Sequence, residues 1–207
     1  MSVRTTTKGG IMRKTIKALL GAALLIVMAV PANAAGATTE IRDVFGQGLG
    51  GPVVSAGGAV LTRSDTGLVA QLTMPTPVPG TYLYPPGNAF QPNGAVPGHP
   101  EAYSFWAFVF NYPDLCSDLC DANDLGNTPA QGGVFNVAGH VAGGSTLQLS
   151  GRVSLTSPPF AGMPLTQPRT AAVHLAVAPH GALDPALLPD QISKPIGGLP
   201  FWWLAIF

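Results

Sequence analysis

Along "STLQLSGRVSL" (145–155), Leu147, Leu149, Val153 and Leu155 fall on one side of an extended chain, and Thr146, Gln148, Ser150, Arg152 and Ser154 on the other. A period of two with one polar side predicts a half-buried antiparallel strand. "TGLVAQLTM" (66–74) repeats the pattern, with Leu68, Ala70, Leu72 and Met74 together. "AYSFWAFVF" (102–110) is apolar on both sides and predicts a central strand. Further strands are expected over 51–61, 133–143, 171–179 and 201–207. The last, "FWWLAIF", is apolar both ways. It suits an interior position between neighbours; as an exposed edge it would invite self-association.

The chain holds 26 glycines and 21 prolines, too many breakers for long helices, while 46% hydrophobic content is too high for disorder. Six to eight short strands joined by long Pro/Gly-rich loops predict an all-β fold, an antiparallel β-sandwich. Segment 35–64 is read as its first strands and 65–207 as the body of the domain. Two long connections, 75–100 and 156–170, separate the strands, and the proline-rich first one suits an arm covering a sheet edge.

The N-terminus changes the charge of the folded part. Arg13, Lys14 and Lys17 precede the apolar run 18–30, and Ala32 and Ala34 stand where a signal peptidase reads small residues. This predicts a signal peptide over 1–34, with 1–11 a start-site extension before Met12. A membrane anchor needs about 20 apolar residues, and this run stops at Pro31. After cleavage the protein is expected to be secreted or periplasmic, in the bacterial cell envelope, and not integral to a membrane. Beyond residue 34, five bases face ten acids, a formal charge of −5, and no Lys or Arg lies between Arg63 and Arg152. A phosphate-binding surface needs clustered cations, so nucleic acid is not an expected partner. The aromatic C-terminus ending at Phe207 also suits a small outer-membrane β-barrel. Such strands need about 9–11 alternating residues, which proline-rich connections interrupt here.

"FNYPDLCSDLCDANDL" (110–125) gathers both cysteines and four aspartates. In an exported chain an even pair at C-x₃-C reads as a disulfide, Cys116 to Cys120, ahead of a thiolate metal site. Asp114, Asp118, Asp121 and Asp124 form a candidate calcium loop. "DANDLG" (121–126) imitates the start of an EF-hand, but Leu125 occupies the fifth position and Gly132 the twelfth, where a bidentate Glu is required. His140 and His174 lie on the less apolar sides of their strands. With His180 they form a candidate zinc or copper site if those strands pair and the chain doubles back near Pro179. His99 sits in the proline-rich arm. No G-x-S-x-G, H-E-x-x-H or phosphate loop is present, and Glu40 and Glu101 stand far apart in sequence.

"FWAFVFNYPDLCSDLCDANDL", "VAGHVAGG", "PRTAAVHLAVAPHG" and "DQIS", in that order, resemble a family of exported bacterial β-rich proteins with no assigned activity, over roughly residues 65 to 198. The layout is Ig-like or, more distantly, similar to the CHRD domain. The resemblance implies that Asn111, Cys116, Cys120, Asp124, His140, Arg169, His174 and His180 form one cluster. The chain departs from the family at 175–179, where an arginine is expected before His-Gly, and at its C-terminus. The functional expectation is a non-catalytic binding or structural module; the alternatives are a metal-binding protein or metal-dependent enzyme built on the histidines, and the membrane barrel.

Overall fold

The computed structural model describes residues 36–48, 50–82, 96, 98–194 and 203–207. The chain divides into Met1–Ala32 and Asn33–Phe207, and every described residue belongs to the second unit. The expected signal peptide, and residues 83–95 of the proline-rich arm, lie outside the described residues.

Period-two segments become strands where the sequence places them. They are β1 (Thr38–Phe45), β2 (Val53–Ser64), β3 (Gly67–Pro75), β4 (Glu101–Phe110), β5 (Gly132–Ala142), β6 (Thr146–Ser154), β7 (Ala161–Gly162), β8 (Ala172–Ala182) and β9 (Trp203–Ile206). A short helix, α1 (Asp190–Ser193), precedes β9. The buried positions of β3 are Leu68, Ala70, Leu72 and Met74, and those of β6 are Leu147, Leu149 and Val153, as alternation requires. Leu155 falls beyond the end of β6 and is exposed.

The nine strands form one antiparallel sheet in the order β6-β3-β2-β1-β9-β8-β4-β5-β7. The all-β antiparallel expectation therefore holds. The layering differs from the expected sandwich: the strands are hydrogen-bonded as one curled sheet, and its far parts meet. A Cβ on Gly151 of β6 would lie 2.1 Å from the Val137 carbonyl oxygen of β5. The concave side holds the main core, including Leu61, Leu72, Phe105, Val109, Leu147, Leu175 and Trp203. Curling a single sheet buries one face without a second layer. Near the margin of this core, buried Arg63 reaches from β2 to Glu40 Oε1 at 2.6 Å and to the Ala171 carbonyl at 2.7 Å.

Gly151 tests that closure. An alanine there must push the β5 backbone away from β6, so Gly151→Ala should cost about 2–3 kcal/mol and lower the urea midpoint accordingly. An unchanged midpoint would mean that β5 and β6 do not approach this closely.

β9 lies between β1, through Phe45 and Leu204, and β8, through His174–Val177. "FWWLAIF" thus fills an interior position, at least over its described residues 203–207. The exposed C-terminal edge that the alternative expectation, self-association, starts from is not present, because β9 is paired on both sides.

Candidate functional site

The site lies on the convex side, where β4 and β8 carry apolar residues outward as well as inward. Phe105, Ala107 and Val109 of β4 and Val173, Leu175 and Val177 of β8 join the main core. Their alternates Trp106, Ala176 and Ala178 form a second cluster with Val134 and Leu204, against which Phe108 packs. Such a face must be covered. Phe160, from the loop after β6, stands edge-on to Trp106 at 5.4 Å between centroids. Leu125, from the segment after β4, also packs against the cluster.

That cover leaves a cavity of about 320 Å³. Its walls are Phe108 and Phe110 of β4, His174 of β8, and Leu204 and Ile206 of β9. Cys120, Asp121 and Ala122 lie along one rim, and Gln47 and Gly48 along another. The His174 ring stacks at a tilt on Phe110, 5.3 Å between centroids, and its Nε2 is buried without a hydrogen-bond partner. Desolvation pulls this imidazole down to about 4, so it is neutral at pH 7. Gln47 holds a left-handed backbone, φ 58°, a conformation a non-glycine residue adopts at a cost. A larger hollow of about 650 Å³, bordered by Pro52, Pro75, Pro77 and Trp203, has no charged side chain among its described lining and is more open.

The rim is locally determined. Cys116 and Cys120 form the expected disulfide, flanked by short 3₁₀ turns at Pro113–Leu115 and Ala122–Asp124. Asp121 caps the second turn, accepting from the Asn123 amide at 2.7 Å, while Asp124 accepts from the Asp121 amide at 2.9 Å. Reciprocal capping of this kind commits both carboxylates to the backbone. Asp114 and Asp118 are exposed and do not join them. Among the described residues, the one group close enough to hold an ion is Cys116, Cys120 and Asp124, and its sulfurs are bonded to each other. The four-aspartate calcium set is therefore not assembled.

The histidines separate for a topological reason. β5 and β8 do not pair, because β4 runs between them. His140 pairs with Tyr103 and His174 with Phe108. Those partners are five residues apart on β4, about 16 Å along the strand. His140 is exposed. His180 is fully buried, and its Nε2 lies 2.7 Å from Ser104 Oγ, which also accepts from Trp106 Nε1 at 2.6 Å. The structure does not bring His140, His174 and His180, the candidate zinc or copper ligands, together: the three lie in different environments.

Ser104 and His180 have the spacing of a nucleophile and its base. Both are 0% exposed, however, and Trp106 Nε1 occupies the serine oxygen. Burial drives the His180 imidazole down to about 3. The pair braces β4 against β8 and presents nothing to a substrate.

The remaining residues of the expected cluster are also dispersed. Buried Asn111 donates to the Gln131 and Pro164 carbonyls, both at 2.9 Å, and accepts from the Thr166 and Gln167 amides at 2.8 and 3.1 Å. All its bonding capacity is spent on tying two loops to the end of β4. Arg169 donates from Nε to Asp65 at 2.8 Å and from Nη1 to the Gly36 carbonyl, linking the loop before β8 to the β2–β3 turn. That bond holds the Asp65 carboxyl below the usual range. What the structure does bring together is His174, Cys120 and Asp121, around one cavity.

Two polar groups escaped the sequence reading. Glu101, 2% exposed, accepts from Tyr103 Oη at 3.0 Å, and Tyr103 meets Tyr82 at 3.2 Å. Burial pushes the Glu101 carboxyl up to about 7, although the tyrosine bond acts against it. Gln191 of α1 is fully buried and donates to the His180 and Ala182 carbonyls. The motif "DQIS" held the only sequence signal for Gln191, and no local pattern marks Glu101 as buried. Compared with known proteins, the chain matches no family model, no curated protein and no solved structure.

Proposed function

We propose that this protein is an exported, non-catalytic binding module that takes a small apolar molecule in the cavity beneath the disulfide loop. The observation that carries the reading is the cavity itself: about 320 Å³, lined by Phe108, Phe110, Leu204 and Ile206, with Gln47, Asp121 and His174 as the polar side chains among its described lining. Ligand sites are concave, mostly apolar and furnished with few polar groups, and this volume lies at the small-molecule end of their range. Export rests on the basic, apolar and small-residue pattern of 1–34 and agrees with a chain whose two cysteines are paired.

Two features weigh against the alternatives. Among the described residues no histidine belongs to a metal-binding group. The curled sheet is apolar inside, while β3 and β6 present Gln71, Thr73, Gln148 and Ser150 outward around a shallow polar hollow. A transmembrane barrel needs the reverse. Separately, no described helix is long and apolar enough to cross a membrane.

The test is fluorescence titration with the neutral probe N-phenyl-1-naphthylamine. Wild-type protein should brighten and blue-shift the probe with a dissociation constant of roughly 1–100 µM. Ala122→Trp, an exposed rim change that plugs the cavity, should weaken binding at least ~10-fold, about 1.4 kcal/mol, with the circular dichroism spectrum unchanged. Equal binding by both proteins, or none by wild type, would sink the reading.

A further inference from the structure

We infer that the Cys116–Cys120 disulfide is a redox latch on the cavity: a dithiol that reduces it releases the rim and lowers the affinity for the bound molecule. The inference rests on the binding role proposed above and adds how that site is regulated.

The position of the bond supplies the first argument. Cys120 is 4% exposed and lines the cavity, with Asp121 and Ala122 following it along the rim. The chain is anchored before and after this point. Tyr112 donates its amide to the Ala130 carbonyl and Cys116 to that of Pro113, both at 3.1 Å. The reciprocal cap closes Asp121 to Asp124, and Leu125 bridges to Gly132. Between these anchors Ser117, Asp118 and Leu119 are exposed. Among the described residues, no hydrogen bond reaches those three or the backbone of Cys120. The bond to Cys116 is therefore the directional tie that sets Cys120 against the wall.

The size of the loop supplies the second argument. The bonded cysteines are four positions apart, and the stabilisation from closing a loop grows with its length. A ring this small constrains the unfolded chain little, and no strand of the sheet passes through it. Opening it should leave the nine-stranded sheet intact and act on the rim alone.

Cys116 is half-buried and the more accessible of the pair. A thiolate of the dithiol attacks its sulfur and expels Cys120 as a thiolate, which takes a proton; the second thiol then displaces Cys116. Two electrons pass to the protein, the dithiol closes to a cyclic disulfide, and its two protons end on the cysteines. Residues 117–120 are then free to leave the wall. The ligand loses a preorganised surface, and the cavity opens to water.

Titrations with N-phenyl-1-naphthylamine before and after treatment with dithiothreitol test this, with alkylation of free thiols and mass measurement reporting the state of the bond. Reduction should weaken binding about tenfold, and reoxidation should restore it. Cys116→Ser/Cys120→Ser should bind like the reduced protein with or without dithiothreitol, which separates the bond from any effect of the reagent. ¹H–¹⁵N spectra recorded without the probe give a reading independent of the ligand. Reduction should shift and broaden the amides of 117–122 and leave those of β2, β3 and β6 unmoved. A bond that resists dithiothreitol in the folded protein, equal affinity in both states, or shifts spread through the sheet would overturn the latch while leaving the cavity as a binding site. If the oxidised protein binds no probe, the binding role itself fails, and the latch with it.

Discussion

Replacing Asn111 by leucine should destabilise the protein by about 4 kcal/mol, although the two side chains have nearly the same shape. Asn111 is 1% exposed and satisfies four backbone groups: the carbonyls of Gln131 and Pro164 and the amides of Thr166 and Gln167. Leucine leaves all four without their partner, and each such group costs about 1–3 kcal/mol when it stays buried. The loops respond by opening to water, which limits the total. Two measurements check this. The urea midpoint should fall, and the Thr166 and Gln167 amides, protected in wild type, should exchange with solvent much faster. Because Asn111 directly follows Phe110, a wall of the cavity, the variant should also bind N-phenyl-1-naphthylamine more weakly. Persistent protection of both amides would show that Asn111 is not what holds the loops.

Acidification should be comparably damaging: stability is expected to peak near pH 6.5 and to fall by about 4 kcal/mol by pH 4. Burial lowers His174 and His180 from 6.5 to about 4 and about 3. Their stabilising contribution is present above pH 6.5 and drains away below it, because the unfolded chain takes up two protons that the folded one refuses. Glu101 works in the opposite sense, raised by burial from 4.5 to about 7. Its contribution is complete below pH 4.5 and lost as the pH climbs to 7, where a buried carboxyl must ionise. Between pH 4.5 and 6.5 the unfolded chain therefore binds one more proton net, a slope of about 1.4 kcal/mol per pH unit. Below pH 4.5 Glu101 no longer compensates, and the slope steepens. Denaturant midpoints from pH 4 to 8 should trace this dome. In Glu101→Gln the acid limb should start its full slope at pH 6.5, and the shallow decline towards pH 7 should disappear. A flat profile from pH 4 to 6.5 would contradict the burial of both imidazoles.

The strands and the staple were legible in the chain because their causes are local. Alternation decides which side of a strand is buried, so Leu68, Ala70, Leu72 and Met74 could be assigned without knowing their neighbours. A strand apolar on both sides must be covered twice, which placed "AYSFWAFVF" in the interior of the sheet, where β8 and β5 flank it. The Cys116–Cys120 bond closes within one short loop, and needs nothing from the rest of the fold. β7, with two residues, and α1, with four, are too short to carry a period and passed unnoticed.

Partnership was a different matter. Alternation gave His140 and His174 their sides but not the strand between them, and inserting β4 dissolves the metal site their spacing invited. Sheet order brings Phe45 beside Leu204, a pairing across most of the chain that no local pattern encodes. The same long-range placement buries Ser104 against His180 and surrounds Asn111 with four backbone groups from two distant loops. It also sets His174 beside the rim formed by Cys120 and Asp121, and so creates the cavity. The sequence by itself determined which faces of the alternating strands avoid water and which two cysteines meet, since both follow from interactions within a few positions. Only the tertiary structure decided which buried faces touch, because that depends on how one sheet curls to cover itself.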